Sequence, residues 1–356
     1  MSEKITVSGS QLLRSIFIIA VIFTIMHLGE PLLLPVVVAI LIATLLDKPT
    51  TALEARGLPQ WASIMLTVLL TVVCFLALSW LITRQISHIA DDWGTIQLKA
   101  EEKLGNLRGW ARNDLGINVR DYLDHDQMVR RLGIALEMFA ASLTNLASQS
   151  FIILVYVILL LMQKGMFHKF LEKLLNNERV ADSILSETSR TIRKYLFGKG
   201  KLMALLLIIY YVGFRLGGVP YALFLALFAT LFSIIPYIGN LIGGGVAVVL
   251  AYLYSGITPA LVVVGVITLA QLLENYVLTP WIIGDEIDLN PFITVFGIVL
   301  LSAIWGLVGA IIALPIIGVI KDILKHIKGM DPYVYLLTQG EEDPAETKLP
   351  RGESIL

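Results

Sequence analysis

Charge is scarce in this sequence. Only 15% of its 356 residues are charged, whereas a soluble globular protein carries about 25%. Hydrophobic residues make up 56% of the chain, and the mean hydropathy is +0.79. Several apolar runs reach the roughly 20 residues that a helix needs to cross a bilayer. The composition therefore predicts an all-α polytopic membrane protein, with about eight hydrophobic segments along the chain.

Several other features are missing as well. The single cysteine, Cys74, excludes an intrachain disulfide framework. No GxxxxGK[ST] loop is present, so no ATP-driven machinery is expected. Neither HExxH nor GxSxG occurs, and the five histidines are scattered, which argues against an intramembrane enzyme, a metal site and a cofactor. A net charge of −1 gives no sign of a nucleic-acid partner.

The distribution of apolar runs divides the chain into six regions. These are three N-terminal transmembrane helices (1–83), an extramembrane helical insert (84–142), a fourth transmembrane helix (143–163), a basic cytoplasmic amphipathic linker (164–201), a motif-rich half (202–328) and a polar C-terminal tail (329–356).

Basic residues predict the orientation. The linker 164–201 carries nine Lys/Arg against four Asp/Glu, an excess that marks the cytoplasmic side of a membrane. Four predicted crossings separate it from the N-terminus, which carries Lys4 and Arg14 and is therefore also expected inside. Three lysines after residue 320 place the C-terminus in the cytoplasm, and the insert 84–142 is expected outside.

Two long apolar blocks, 220–255 and 291–320, share a broken pattern. Each starts at a proline, runs for about 15 apolar residues, and meets a breaker, PYIG at 236–239 or GLVG at 306–309. Matched breaks of this kind are the best sequence indication of a transporter binding site, because a broken helix frees backbone groups for a solute. Close helix packing through small residues is the alternative. The pattern leaves open whether each block is a kinked crossing or a re-entrant hairpin.

Glu274 is the only acidic residue in the apolar run from 202 to 284. A charge at this depth costs roughly 2.5–3.5 kcal/mol on insertion scales, so it needs a role. Helical spacing places Gln271 and Asn275 near it, which predicts a polar site for a cation or a hydroxylated solute. The alternative is a structural acid that caps broken backbone or forms an ion pair with Arg215.

Four stretches resemble the signature of the autoinducer-2 exporter family of bacterial membrane proteins. They are SIIPYIGNLIG (233–243), ENYVLTPWIIG (274–284), LNP (289–291) and GLVGAIIALP (306–315). The resemblance implies a multi-pass permease of the bacterial inner membrane that forms homo-oligomers, such as pentamers. Some members are linked to export of the furanone signal autoinducer-2, and others to sodium/proton antiport.

The resemblance also implies site residues. The residues expected at helix breaks and hinges are Pro236, Gly239, Gly243, Pro280, Gly284, Pro291, Gly306, Gly309 and Pro315. Those expected to bind solute or ion are Glu274, Asn275, Asn240 and Gln271. Two positions depart from the family pattern: Gly244 to Val246 replace an expected proline, and Asn290 stands where histidine is frequent.

The function expected from the residues and the resemblance is a secondary transporter. It would export a small polar solute, an autoinducer-2-like signalling molecule, with ion coupling. A sodium/proton antiporter is one alternative, and a non-transporting oligomeric membrane scaffold that uses the insert 84–142 is the other. The expected partners are the lipid bilayer, the solute, Na⁺ or H⁺, and further copies of the chain.

Overall fold

The computed structural model describes residues 9–114, 134, 150–234, 238–282 and 289–338, and every regular element within them is helical. In chain order these are α1 (Gly9–Leu28), α2 (Glu30–Glu54), α3 (Gln60–Asp91), α4 (Trp93–Asp114), α5 (Ser150–Met162), α6 (Lys164–Leu175), α7 (Glu178–Leu216), α8 (Ala222–Phe232), α9 (Ile238–Ser255), α10 (Ile257–Leu273), α11 (Thr279–Ile282), α12 (Pro291–Leu324) and α13 (Asp331–Leu337). A π-helical turn, Glu274–Leu278, joins α10 to α11.

The described helices confirm the predicted fold class. By length and composition alone, five helical stretches could cross a membrane: α2, α3, α7, α10 continued through the π turn and α11, and α12, whose course is described below. A sixth span results if the bent pair α5 and α6 is counted as one. Each of the eight apolar segments predicted from the sequence contributes residues to one or more of these helices. The architecture is therefore that of an all-α polytopic membrane protein.

The predicted boundary between the basic linker and the motif-rich half, at 201–202, falls inside one helix. Helix α7 is continuous over 39 residues. Lys199 shares a buried helical face with Leu202 and Leu206, so the same face continues from the linker into the apolar segment.

Parts of several predicted regions lie outside the described residues. The insert 84–142 is described through Asp114, plus residue 134 alone, and in this part Ile96 and Ala100 of α4 are buried. Pro236, Gly284 and the tail beyond residue 338 also lie outside the described part of the chain.

The helices group into two compact units. One unit contains α1, most of α2, α5, α6, the N-terminal half of α7, α12 and α13. The other contains α3, α4, the C-terminal half of α7, and α8 to α11. The largest apolar core in the described residues belongs to the second unit, where Tyr210, Phe214 and Phe224 are among the most deeply buried side chains.

The first broken block, α8 and α9, is a helical hairpin. Near its tip, a Cβ placed on Gly243 would lie 2.5 Å from Cα of Ala229. Near its open end, the hydroxyls of Tyr221 and Tyr254 are 3.0 Å apart. Residues on either side of the break therefore pair in antiparallel fashion. Because α8 has only 11 residues, about 16 Å of helix, it is too short to cross a bilayer.

The second broken block, α12, also folds back on itself. Gly306 has φ +59° and ψ −144°, and Trp305 before it is non-helical too. A Cβ on Gly297 would overlap with the Cδ1 atom of Ile317, although a straight helix would separate these residues by about 30 Å. Both blocks are therefore hairpins, and the alternative of kinked crossings is wrong. Positive φ with this ψ is accessible essentially to glycine alone, which explains why the reversal occurs at Gly306.

Candidate functional site

Glu274 opens the π-helical turn between α10 and α11. The backbone N–H of Thr279 bonds to the carbonyl of Glu274, five residues back, where an α-helix would pair residues four apart. Pro280 follows at once and has no N–H to offer to the preceding turn, which favours such an irregularity. Single π turns inside α-helices are rare and occur frequently at functional sites.

Glu274 is buried and paired with a lysine. Its side chain accepts a hydrogen bond from Nζ of Lys199 on α7, with 3.3 Å between Nζ and Oε1. The exposed fractions of the two residues are 8% for Glu274 and 7% for Lys199. A buried carboxylate and a buried ammonium are thus held together inside the second unit, where each offsets the desolvation cost of the other.

The predicted ion pair between Arg215 and Glu274 is wrong. Arg215 is exposed and lies on α7 about 24 Å further along the helix than Lys199. Helices α7 and α10 are antiparallel: Gly213 packs against Val266, and Gly217 packs against Val262. This register places Arg215 near the N-terminal half of α10, several turns away from Glu274.

The pair lies at the level of the tip of the first hairpin. Helix α9 is antiparallel to α10, and Gly244 of α9 packs against Ile267 of α10. Moving six residues towards the hairpin tip along α9 reaches Ile238, the first residue of that helix, while the same distance along α10 reaches Leu273. The N-terminal end of α9 carries a partial positive charge, which complements the carboxylate at this level.

Two of the other predicted binding residues, Gln271 and Asn275, contact each other next to Glu274 in the chain. Nε2 of Gln271 donates to Oδ1 of Asn275 at 2.9 Å, so these two amides are joined as the helical spacing predicted. Asn275 is exposed in the single chain, unlike Glu274. Asn240 lies in the first turn of α9, and its side chain is outside the described residues. The structure thus brings Gln271 and Asn275 into contact beside the buried acid.

The predicted hinge residues occupy different kinds of position. Gly306 is at the reversal of α12, and Gly309 is tightly enclosed, because a Cβ on it would overlap with the carbonyl oxygen of Leu301. Gly239 lies in the first turn of α9, and Pro291 is the first residue of α12, after Asn290, whose side chain caps the helix by accepting from Phe292 N. Pro315 lies inside the second arm of α12, and the helix does not end at this residue.

Lys199 is the site residue that sequence reasoning missed. It falls within the basic linker 164–201, whose eight other Lys/Arg residues indicate charge at the membrane surface and not a buried group. Its position shows a usable signal: Lys199, Leu202, Leu206 and Tyr210 follow one another at intervals of three or four residues, which is a single helical face. A charged residue on an otherwise apolar face indicates a buried partner.

This arrangement suits reversible binding of a cation or a polar solute. The carboxylate can take a cation in place of the ammonium, and the ammonium can then give up its proton, since a buried unpaired charge is costly. A hydroxylated solute can instead bridge the two groups through hydrogen bonds to charged partners, which are stronger than neutral ones.

Comparison with known proteins indicates a family of membrane transport proteins. The family model for AI-2E family transporters matches residues 16–329. A provisionally named transport protein of Mycobacterium tuberculosis is 25% identical over 322 residues, covering 85% of either chain. PerM of Escherichia coli K12, provisionally named a permease, is 27% identical over 324 residues, covering 85% of this chain and 89% of its own. YrrI of Bacillus subtilis, provisionally named a transport protein, is 22% identical over 85% of this chain.

These similarities extend over most of the chain and of its relatives. They support a membrane transport function for a multi-pass protein of the lipid bilayer.

Proposed function

This chain belongs to the AI-2E transporter family, and on that premise we propose that it is a secondary transporter that exports a small polar solute of the autoinducer-2 type. The proposed location is the bacterial inner membrane, with both termini in the cytoplasm and several copies of the chain in a homo-oligomer. The observation that carries the proposal is the buried pair of Glu274 and Lys199 at a π turn.

The pair explains how a polar solute can be bound inside an apolar protein. Isolated charges in a low-dielectric site are unstable, but a carboxylate and an ammonium 3.3 Å apart partly offset each other's desolvation cost. A solute with several hydroxyl groups can replace their mutual contact with hydrogen bonds to each. Gln271 and Asn275 on the adjacent turn, and Asn240 near the start of α9, are proposed as further ligands.

The hairpin α8–α9 is proposed to control access to this site. The N-terminal end of α9 and Glu274 lie at the same level, and the hairpin packs against α10 through a small residue, Gly244, which contacts Ile267. Such contacts fix two helices closely while leaving few side chains to rearrange when one helix slides or rocks against the other. Alternating access would then involve movement of this hairpin relative to α7 and α10.

Sodium/proton antiport is a second proposal, favoured by the identity of the partner of Glu274. When Na⁺ binds the carboxylate it displaces Lys199, which then loses the contact that stabilises its charged form. Release of a proton from Lys199 would follow, so one cation would exchange for one proton. Export of a neutral solute and cation exchange therefore use the same two side chains and are separated by measuring which species crosses the membrane.

We expect the purified chain, reconstituted in liposomes, to exchange a small polar solute in counterflow. Vesicles loaded with unlabelled furanones or polyols should accumulate the corresponding labelled compound transiently, with saturation at high concentration. Vesicles with a sodium gradient and an internal pH dye test the antiport proposal in parallel. Vesicles without protein are the control, and the absence of both solute exchange and a sodium-dependent pH change would contradict the transport proposal and favour a scaffold.

The proposed topology has its own test. Single cysteines placed at Lys103 and Lys173, in a background in which Cys74 is changed to serine, should react with an impermeant thiol reagent from opposite sides. We expect Lys103 outside and Lys173 inside, because basic residues flank the membrane on the cytoplasmic side. With two re-entrant hairpins, a cysteine at Glu286 should react from the same side as Lys173. Labelling of Lys103 and Lys173 from one side would contradict the orientation.

A further inference from the structure

A cleft in the first unit is separate from Glu274 and has no part in the transport mechanism proposed above. It has a volume of about 590 Å³ and lies among α2, the bend between α5 and α6, and the N-terminal half of α7. Its lining has two parts. Ile40, Leu160 and Leu161 form an apolar wall, whereas Asp47, Lys164 and Arg193 form a charged end.

The apolar and charged parts follow one another along α2 and along α5 and α6. On α2, Ile40 precedes Asp47 by about 10 Å of helix, and on α5 and α6, Leu160 and Leu161 precede Lys164. The cleft is thus apolar at one level and charged at the next. This succession matches the boundary between acyl chains and headgroups in a lipid leaflet.

The neighbouring helix α6 indicates that the charged end lies at the membrane surface. It bends by 68° from α5, and its exposed side chains are partly apolar, including Phe167, Phe170 and Leu174, and partly basic, including Lys169 and Lys173. A helix of this composition lies in the plane of the interface, with its apolar face towards the acyl chains.

The charges at the cleft do not balance. Asp47 bridges the two cations: its Oδ1 atom is 3.2 Å from Nζ of Lys164, and its Oδ2 atom is 3.7 Å from Nη1 of Arg193. Two positive groups and one negative group leave a net charge of +1 at this end of the cleft. The lining also contains His168, whose Nε2 atom lies 2.8 Å from Oε1 of Glu172 and 3.0 Å from Oδ1 of Asp182, so these two carboxylates face the histidine. The Lys164 side chain is 44% exposed, so it can turn towards a ligand without losing a buried contact.

We propose that this cleft is a specific binding site for one anionic phospholipid with a single phosphodiester, such as phosphatidylglycerol. The phosphate accepts hydrogen bonds from Lys164 and Arg193, and its charge of −1 neutralises the excess of +1. An acyl chain lies along Ile40, Leu160 and Leu161. The bound lipid fastens α6 to α2 and α7 at the predicted cytoplasmic surface.

Bound lipid is counted by native mass spectrometry of the protein purified in detergent with added phosphatidylglycerol or phosphatidylethanolamine. We expect phosphatidylglycerol to be retained, at about one molecule per chain, and to raise the melting temperature. Changing both Lys164→Gln and Arg193→Gln should weaken retention about tenfold or more, because charge-assisted hydrogen bonds are lost. Ala43→Phe, which fills the cleft without changing charge, should have the same effect.

Two controls separate this site from general attraction to anionic lipid. Lys169→Gln combined with Lys173→Gln removes exposed cations from α6 outside the cleft and should leave retention unchanged. Asp47→Asn removes the competing carboxylate and should strengthen retention, whereas a purely structural role would weaken it. Inorganic phosphate, which lacks acyl chains, should not displace the lipid. Equal retention of phosphatidylethanolamine, or full retention by the Lys164/Arg193 double variant, would overturn the proposal.

Discussion

Changing Glu274→Gln is expected to abolish transport and to lower the stability of the protein at the same time. The amide keeps the shape of the side chain but leaves the buried ammonium of Lys199 without its counter-charge. Removing one partner of a buried ion pair costs roughly 3–5 kcal/mol. Flux in proteoliposomes and the melting temperature in detergent report the two effects separately. Both should fall, because the carboxylate serves as a ligand and as a structural partner.

The matched control for this change is Glu101→Gln. Glu101 is an exposed carboxylate on α4, so the same loss of a negative charge there should leave flux and melting temperature close to those of the wild type. If Glu274→Gln behaved like this control, with unchanged pH dependence of flux, Glu274 would be neither a ligand nor a structural partner. The solute site would then have to be formed by Asn240, Asn275 and free backbone groups.

Changing Gly243→Ala is expected to open the first hairpin. The new methyl group would lie 2.5 Å from Cα of Ala229, a backbone atom that cannot move without displacing α8. Insertion of a methyl group into a tight contact costs about 1–3 kcal/mol, and a backbone contact belongs at the upper end of that range. The melting temperature should fall, and flux should fall further, since the hairpin tip lies at the level of Glu274.

Gly245→Ala, two residues away on the same helix, is the control, and its expected effect on stability is the opposite. A Cβ at Gly245 would meet nothing within 4 Å. Alanine is favoured over glycine inside a helix by about 1 kcal/mol, so this variant should be as stable as the wild type or more stable. Equal melting temperatures and fluxes for Gly243→Ala and Gly245→Ala would contradict the close packing of the hairpin.

The fold class could be predicted because hydropathy in a membrane chain is a strong signal. Runs of about 20 apolar residues have few stable alternatives to a helix, since backbone groups in lipid must be paired within their own segment. The breaks in the two long blocks were also visible, through glycine and proline at 236–239 and 306–309. Breakers show where a helix ends but not where the chain goes next, which is why crossings and hairpins could not be distinguished.

The structure distinguishes them through contacts that depend on small residues far apart in sequence. Gly297 lies against Ile317, and Gly243 lies against Ala229, and neither contact follows from local periodicity. Glycine in a membrane helix is frequent enough that its presence alone does not identify a neighbour. The hairpins therefore could not be predicted from the sequence pattern alone, because they are defined by contacts between residues far apart in the chain.

The candidate site was predicted only in part: the sequence indicates Glu274 but not its partner, Lys199. Glu274 was conspicuous because it is the only acid in a long apolar run. The same run contains a single cationic residue, Arg215, so the sequence predicts Arg215 as its partner. Lys199 was hidden among basic residues that mark the membrane surface, although its spacing to Leu202 and Leu206 places it on the buried face of α7. The net charge of a stretch of sequence does not reveal which of its lysine or arginine side chains is buried.

Flux through the double variant Lys199→Gln/Glu274→Gln tests most directly whether this pair forms the transport site. Two glutamines can bond to each other and leave no buried charge, so the double variant should recover most of the stability lost in Glu274→Gln. We expect a melting temperature near that of the wild type and no flux above that of empty liposomes. A stable double variant with wild-type flux would contradict the account, because the pair would then be a structural contact that transport does not use.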